Sequence, residues 1–219
     1  MPCLAPSEFL TPQAASLFGS VAERFIQADY LRHVGRAAFF PANPKDFADF
    51  SIGFGNTALY VAFLKANNPR LSPSELLALS AASLLKIPDL MTHDPGVRFE
   101  FYEIKPNSPD GRLAGMTKVA LIDAMLTAFS LPYKPGLSYA PVKDVILYSG
   151  SVFGKTLEVR LHWERIAPGL LVYEICVDGT LVELGLKVLL AVLAAIIAIL
   201  LRRFLPRLPT EPLPVPTMA

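Results

Sequence analysis

An almost uninterrupted apolar segment near the C-terminal end constrains this chain more than any other feature of its sequence. From Leu181 to Leu201 the only charged residues are Glu183 and Lys187. About 20 apolar residues are needed to cross the hydrocarbon core of a bilayer. Arg202 and a second arginine follow at once, where a membrane helix places cations that reach back to the headgroups. The segment therefore predicts a membrane-inserted or spanning helix, and a buried core or oligomer helix is the alternative.

The two ends of the chain differ from this segment. Residues 206–219 are so rich in proline that they predict an extended coil rather than helix or sheet. The N-terminal residues have no cationic stretch followed by an apolar run, so no signal peptide is predicted. We therefore expect any membrane attachment to come from the C-terminal helix.

Composition excludes several classes of protein. With 53% hydrophobic residues and a formal net charge of +1, the chain is not disordered throughout. The same net charge gives no global field to attract a polyanion, so nucleic acid would have to contact a local patch. Two cysteines, Cys3 and Cys176, exclude a disulfide-rich scaffold and the usual zinc clusters. Three isolated histidines leave little for a histidine-based metal site.

Hydrophobic spacing predicts helices alternating with strands. The helices are expected at residues 11–34, 57–66, 72–86 and 112–130, and the strands at 87–93, 98–105, 142–148, 156–163 and 170–177. This order predicts an α/β fold with a central mixed β-sheet flanked by helices. We divide the chain into an N-terminal helical extension (1–71), a core (72–180), the hydrophobic helix (181–205) and the proline-rich tail (206–219).

The segment between residues 87 and 115 carries the charged residues that suggest chemistry. Asp89 follows Pro88 on one predicted strand, and Glu103 and Lys105 lie on the next. Side chains alternate along a strand, so Glu103 and Lys105 point the same way, roughly 7 Å apart. Carboxylates from neighbouring strands suit Mg²⁺ or Mn²⁺, and a lysine beside the metal can orient or deprotonate a bound water or offset negative charge. The alternative is a lysine–glutamate pair on the rim of a sheet.

These residues resemble a known signature. Pro88-Asp89, then Glu103-x-Lys105 on the following strand, then a helix, is similar to the PD-(D/E)xK motif of restriction-endonuclease-like nucleases. The resemblance implies a restriction-endonuclease-like core in which Asp89 and Glu103 are metal ligands and Lys105 is the catalytic lysine for hydrolysis of phosphodiester bonds in DNA or RNA. The longer string FYEIKPNSPDGRLAG is similar to nuclease domains of secreted, contact-delivered bacterial toxins. The resemblance covers at most residues 75–177.

Hairpin geometry places a condition on this hypothesis. Residues paired directly across a hairpin share a face of the sheet. A two-residue loop at Pro95-Gly96 would pair Asp89 with Tyr102, on the face opposite Glu103. A three-residue loop at Asp94–Gly96, or one bulge, would pair Asp89 with Phe101 and return it to the face of Glu103. The nuclease hypothesis therefore requires a loop of odd length or a bulge.

Other charged residues are candidates for the same site. The resemblance implies a further glutamate from a preceding helix. By position this is Glu75, a third candidate metal ligand, although Ser72-x-x-Glu75 is also a capping box. Glu23, on the first helix, is a weaker candidate. Lys118 and Arg112, on the helix after the motif, are candidates to contact a phosphate, and a solvated helix face is the alternative for both.

Two functions fit the sequence. The first is a Mg²⁺-dependent or Mn²⁺-dependent nuclease acting on DNA or RNA. By analogy with toxins it would be associated with membrane through the C-terminal helix, delivered to another cell, and partnered by an immunity or chaperone protein. The second is a membrane-anchored binding or structural protein with a degenerate nuclease-like fold. It explains the apolar segment and the neutral charge but leaves Asp89, Glu103 and Lys105 as a coincidence.

Overall fold

A mixed β-sheet organises the part of the chain that the computed structural model describes, residues 2–34, 38–39, 55–83, 87–152, 154–178 and 186–204. The strands of this part are β1 (Cys3–Leu4), β2 (Ala38–Phe39), β3 (Leu90–Asp94), β4 (Arg98–Pro106), β5 (Lys134–Pro135), β6 (Val142–Val152), β7 (Lys155–Ala167) and β8 (Leu170–Asp178). The helices are α1 (Pro12–Val34), α2 (Gly55–Asn67), α3 (Pro73–Ser83), α4 (Pro109–Ala128) and α5 (Leu186–Phe204), with a 3₁₀ turn at Pro6–Glu8.

The strand order is β2-β3-β4-β8-β7-β6, with β5 beside β4 and β1 beside β8. The strand β4 pairs in parallel with β8 and β5, and the other pairs are antiparallel. The start of β8 pairs with β4, and its later residues pair with β1 along the same edge. This arrangement confirms the predicted mixed α/β class, and the restriction-endonuclease-like core stays a prediction.

Alternation along the strands builds a core on each face of the sheet. On β4, Tyr102 and Ile104 face a core that includes Trp163 of β7 and residues of α1 and α5. Phe101, which precedes Tyr102 and points to the opposite face, lies in a second core that contains residues of α2, α3 and α4. The helix α1, which the sequence assigned to an N-terminal extension, thus packs directly on the sheet. The strand β4 lies between two helical layers.

The C-terminal apolar segment packs against α1 within the first core. Leu193 and Ile197 of α5 are fully buried there, whereas Ile199 is 54% exposed. In the described part of the chain no helix is both long and apolar enough to cross a bilayer. The predicted membrane-spanning helix therefore has no support in the structure. Residues 181–185 of the predicted helix, and the proline-rich tail at 206–219, lie outside the described residues.

One disulfide ties the N-terminal strand to the sheet. Cys3 of β1 lies directly opposite Cys176 of β8, and the two residues, 173 positions apart, are bonded to each other. The backbone N–H of Val177 also donates to the carbonyl of Pro2 at 2.9 Å. The two cysteines, too few for a disulfide-rich scaffold, therefore form one long-range link.

Candidate functional site

The β3–β4 hairpin has the loop of odd length that the nuclease hypothesis requires. Its turn comprises residues 95–97, with Gly96 at a φ of +79°, a conformation that favours glycine. The expected turn was residues 94–96, so the register differs by two positions from the predicted one. Leu90 pairs with Tyr102, and continuing that register brings Asp89 opposite Glu103 instead of Phe101. The prediction that the loop contains an odd number of residues is confirmed.

Asp89 lies one residue before the start of β3. The strand was predicted from residue 87, but the ladder starts at Leu90, after Pro88, which has no N–H to donate. The backbone N–H of Ile104 instead donates to Asp89 Oδ2 at 2.7 Å. The Asp89 carboxylate thus accepts a hydrogen bond from β4 that a backbone carbonyl would accept in a regular β-ladder. This bond holds the carboxylate next to β4.

Glu103 is the most buried charged group of the site. Its side chain is 0% exposed, and Oε1 accepts a hydrogen bond from Lys105 and forms an ion pair with Lys118 of α4, whose Nζ lies 2.8 Å away. Lys118 Nζ also lies 3.7 Å from Asp89 Oδ1, and Lys105 Nζ lies 3.9 Å from Asp89 Oδ2. Among the described residues Glu103 Oε2 has no hydrogen-bond partner. The structure therefore brings Asp89, Glu103, Lys105 and Lys118 together.

A third carboxylate approaches from the opposite side of β4. Glu23 of α1 lines a cleft of about 300 Å³ together with Lys105 and Tyr173. Burial raises the pKa of Glu23 to about 8, and the Asp89 carboxylate adds to the rise. The cleft therefore opens between α1 and β4, with Glu23 on one wall and Lys105 on the other.

The pKa values at this site reflect acidic groups that are close together and largely buried. Burial raises the pKa of Glu103 to about 7, with a further contribution from Asp89 and an opposing one from the two lysines. Burial alone would lower the pKa of Lys105, but Asp89 and Glu103 outweigh it, and the pKa lies above its ordinary value. Lys105 is therefore a persistent ammonium at neutral pH, whereas Glu103 is a carboxyl whose charge changes there.

Two of the predicted site residues are placed elsewhere. Glu75 is exposed, and its carboxylate accepts hydrogen bonds from the Ser72 N–H at 2.8 Å and the Ser72 hydroxyl at 2.6 Å. This is the capping-box alternative at the start of α3. Arg112, also exposed, donates from Nε to Asn107 Oδ1 at 2.7 Å. Neither residue contacts the carboxylates of the cleft among the described interactions.

The sequence made Glu23 a weaker candidate metal ligand than Glu75. In the structure, however, Glu23 lies close to the acids of the motif, whereas Glu75 caps α3. The sequence did contain a signal for Glu23. Gly19, Ile26 and Tyr30 are buried residues of α1 at helical spacing, and Glu23 falls in the middle of this stripe. An acid on the buried face of an amphipathic helix is costly to desolvate. Such a placement points to a site more directly than proximity to the motif does.

The acids near the cleft supply the oxygen ligands that a hard divalent cation prefers. Glu23 lines the cleft together with Lys105, and Lys105 is ion-paired with Asp89 and Glu103. Among the described residues, one Glu103 oxygen is buried without a partner, and the oxygens of the three acids do not all lie within 4.8 Å of one another. The two lysines neutralise the acids in the protein as it stands.

Comparison of the chain with protein-family models, with curated proteins and with solved structures gives no match.

Proposed function

We propose that this protein is a metal-dependent nuclease that hydrolyses phosphodiester bonds of DNA or RNA. One observation supports the proposal above all. Asp89 and Glu103 converge on Lys105, and among the described residues a buried oxygen of Glu103 is left without a hydrogen bond. An unpaired buried carboxylate oxygen is unfavourable unless a cation or a donor completes it.

The three acids would hold Mg²⁺ or Mn²⁺. Asp89 and Glu103 supply oxygens from the β3–β4 hairpin, and Glu23 supplies one from α1. When bound, a hard divalent cation lowers the pKa of a coordinated water and stabilises charge on a phosphate oxygen. Ligands must be deprotonated to bind, so Glu23 and Glu103, with pKa values of about 8 and 7, would release protons on loading.

The lysines would act as cations and not as bases. The pKa of Lys105 lies above its ordinary value, so this group stays protonated and can donate to a phosphate or to the attacking water. The alternative in which Lys105 deprotonates the water would require a much lower pKa. Lys118, which forms ion pairs with the same carboxylates from α4, would contact the phosphate in the metal-loaded protein.

Charge supports limited contact with a nucleic acid backbone. Residues 98–165 contain nine Lys or Arg and seven Asp or Glu. A protein that neutralises many phosphates needs a far larger basic excess. We therefore expect affinity to depend on the cleft more than on a basic surface, and to fall only modestly with salt.

The test is cleavage of single-stranded and double-stranded DNA and RNA by the full chain with Mg²⁺ or Mn²⁺. Asp89→Asn, Glu103→Gln and Lys105→Met should each lower the rate by at least about 100-fold. A matched control is Glu158→Gln, because Glu158-x-Arg160 on β7 repeats the same spacing and ion pair outside the cleft. This variant should cleave like the wild type.

Two results would contradict the proposal: cleavage that survives a chelator, or variants of the cleft that cleave like the Glu158→Gln control. An unfolding curve for each variant establishes that the fold is retained. Absence of cleavage by the wild-type chain on all four substrates would instead favour the non-enzymatic binding protein with a degenerate site.

A further inference from the structure

The disulfide and a neighbouring acid form a second cluster of metal-ligating groups, separate from the cleft. Glu174 and Cys176 are two positions apart on β8 and therefore share a face of the sheet. Cys3 lies opposite Cys176 on β1. One ligand atom from each of the three residues lies within 4.8 Å of the other two. This set combines soft sulfur with one carboxylate, which suits zinc and not magnesium.

We propose that reduction of the Cys3–Cys176 disulfide creates a zinc site formed by Cys3, Cys176 and Glu174. A dithiol reductant would supply two electrons and two protons, giving two thiols and the cyclic disulfide of the reductant. Zinc binding then releases the two thiol protons as the thiolates coordinate. The proposal does not depend on the proposed nuclease function.

The cross-strand geometry suits zinc. Tetrahedral coordination with Zn–S bonds of about 2.3 Å places two thiolates roughly 3.8 Å apart. The Cα atoms of Cys3 and Cys176 are 4.0 Å apart, so rotation about the two Cα–Cβ bonds can separate the sulfurs to that distance while the strands stay paired.

One neighbouring side chain already orients the carboxylate, and a histidine outside the group of three lies on the adjacent strand. Asn107 Nδ2 donates to Glu174 Oε2 at 2.8 Å, the kind of outer contact that fixes a metal ligand. His162 of β7 is paired with Glu174, and its Nδ1 lies 2.9 Å from Asp144 Oδ1. A histidine held in this way by a carboxylate presents its other nitrogen, Nε2, for coordination. Water is the fourth ligand if His162 keeps its present position.

The site would keep the N-terminal strand in place after reduction. Among the described residues, two residue pairs and the hydrogen bond from Val177 to Pro2 join this segment to β8, so the covalent link carries much of the attachment. The residues that follow β1 include Pro6 and Ser7, which line the cleft of Glu23 and Lys105. Zinc would thus replace the disulfide as the link that holds this wall of the cleft.

The experiment measures zinc bound by the full chain, oxidised and reduced, in competition with a chromophoric chelator. We expect one zinc ion per reduced chain and none per oxidised chain. Cobalt in place of zinc should give a thiolate charge-transfer band in the reduced wild type. Glu174→Gln and Asn107→Ala should each weaken binding by about tenfold or more. Asp89→Asn, a change in the nuclease cleft, should leave zinc binding unaltered.

The variant Cys3→Ser should lose the band and the stoichiometric binding. It is chosen over a change of Cys176 because Cys3 is only half-buried and a serine there is better tolerated. Comparison of oxidised with reduced wild type needs no substitution and therefore does not depend on the stability of any variant. The inference is wrong if the reduced wild type fails to compete for zinc, or if Cys3→Ser gives the same band.

Discussion

Substitution of Glu23 by glutamine should remove a large part of the pH dependence of stability. Burial raises the pKa of Glu23 from 4.5 to about 8 in the folded protein, so between these values the folded chain holds a proton that the unfolded chain has lost. Stability therefore falls as pH rises through this window. At 1.36 kcal/mol per pKa unit, the loss between about pH 5 and about pH 8 is up to roughly 3 kcal/mol from this group alone.

The assay is urea unfolding of wild type and Glu23→Gln at the two pH values, with a chelator present. The variant, which carries no charge to bury, should lose about 3 kcal/mol less than the wild type on going to the higher pH. Glu75→Gln is the matched control. Hydrogen bonds from Ser72 lower the pKa of Glu75, so its titration lies below the window and the control should follow the wild type. Equal slopes for Glu23→Gln and the wild type would refute the burial of this carboxyl.

Three further predictions concern the metal, the C-terminal helix and the packing of α4. Because Glu23 and Glu103 have raised pKa values, the affinity for Mn²⁺ should increase from about pH 6 to about pH 8 with release of protons. Calorimetry in buffers of different ionisation enthalpy measures this release, and a pH-independent affinity would contradict it. Leu193→Ala should destabilise the protein by about 2–5 kcal/mol because Leu193 is fully buried, whereas Ile199→Ala, at an exposed position, should have little effect. Equal losses of unfolding free energy in urea would argue against the packing of α5 on α1. Gly115→Ala should destabilise the protein by about 1–3 kcal/mol despite the higher helix propensity of alanine, because the added Cβ would lie 2.5 Å from Leu170 Cδ1. A stabilised variant in the same assay would show that α4 packs less closely against β8.

The sequence predicted the β-hairpin and its charged residues because alternation and turn chemistry are local. Glu103 and Lys105 must share a face on any regular strand, and Pro95-Gly96 marks the turn. An odd number of loop residues was predicted because Asp89 had to lie on the same face of the sheet as Glu103 and Lys105. The register missed by two residues because the turn includes Val97, which carries no turn signal of its own.

Features that depend on distant segments were not predictable in the same way. Pairing of Cys3 with Cys176 needs β1 and β8 side by side, and nothing local to either cysteine specifies that. Glu23 reaches the cleft because α1 packs on the sheet next to β4, whereas Glu75 is close to the motif only in sequence. The apolar stretch of α5 is typical of both a lipid-facing helix and a buried one, and contacts with α1 decide which of its residues are buried.

The parallel pairing of β4 with β8 has a consequence for synthesis on the ribosome. Residue 103 pairs with residue 170, so the strand that carries Glu103 and Lys105 lacks this neighbour until the rest of the sheet has been translated. At roughly 5–20 residues per second, a nascent chain spends about 3–13 s between the emergence of the two segments. During that interval the edge of β4 that later pairs with β8 is unpaired, so the part of the cleft lined by Tyr173 is completed only after β8 has left the exit tunnel.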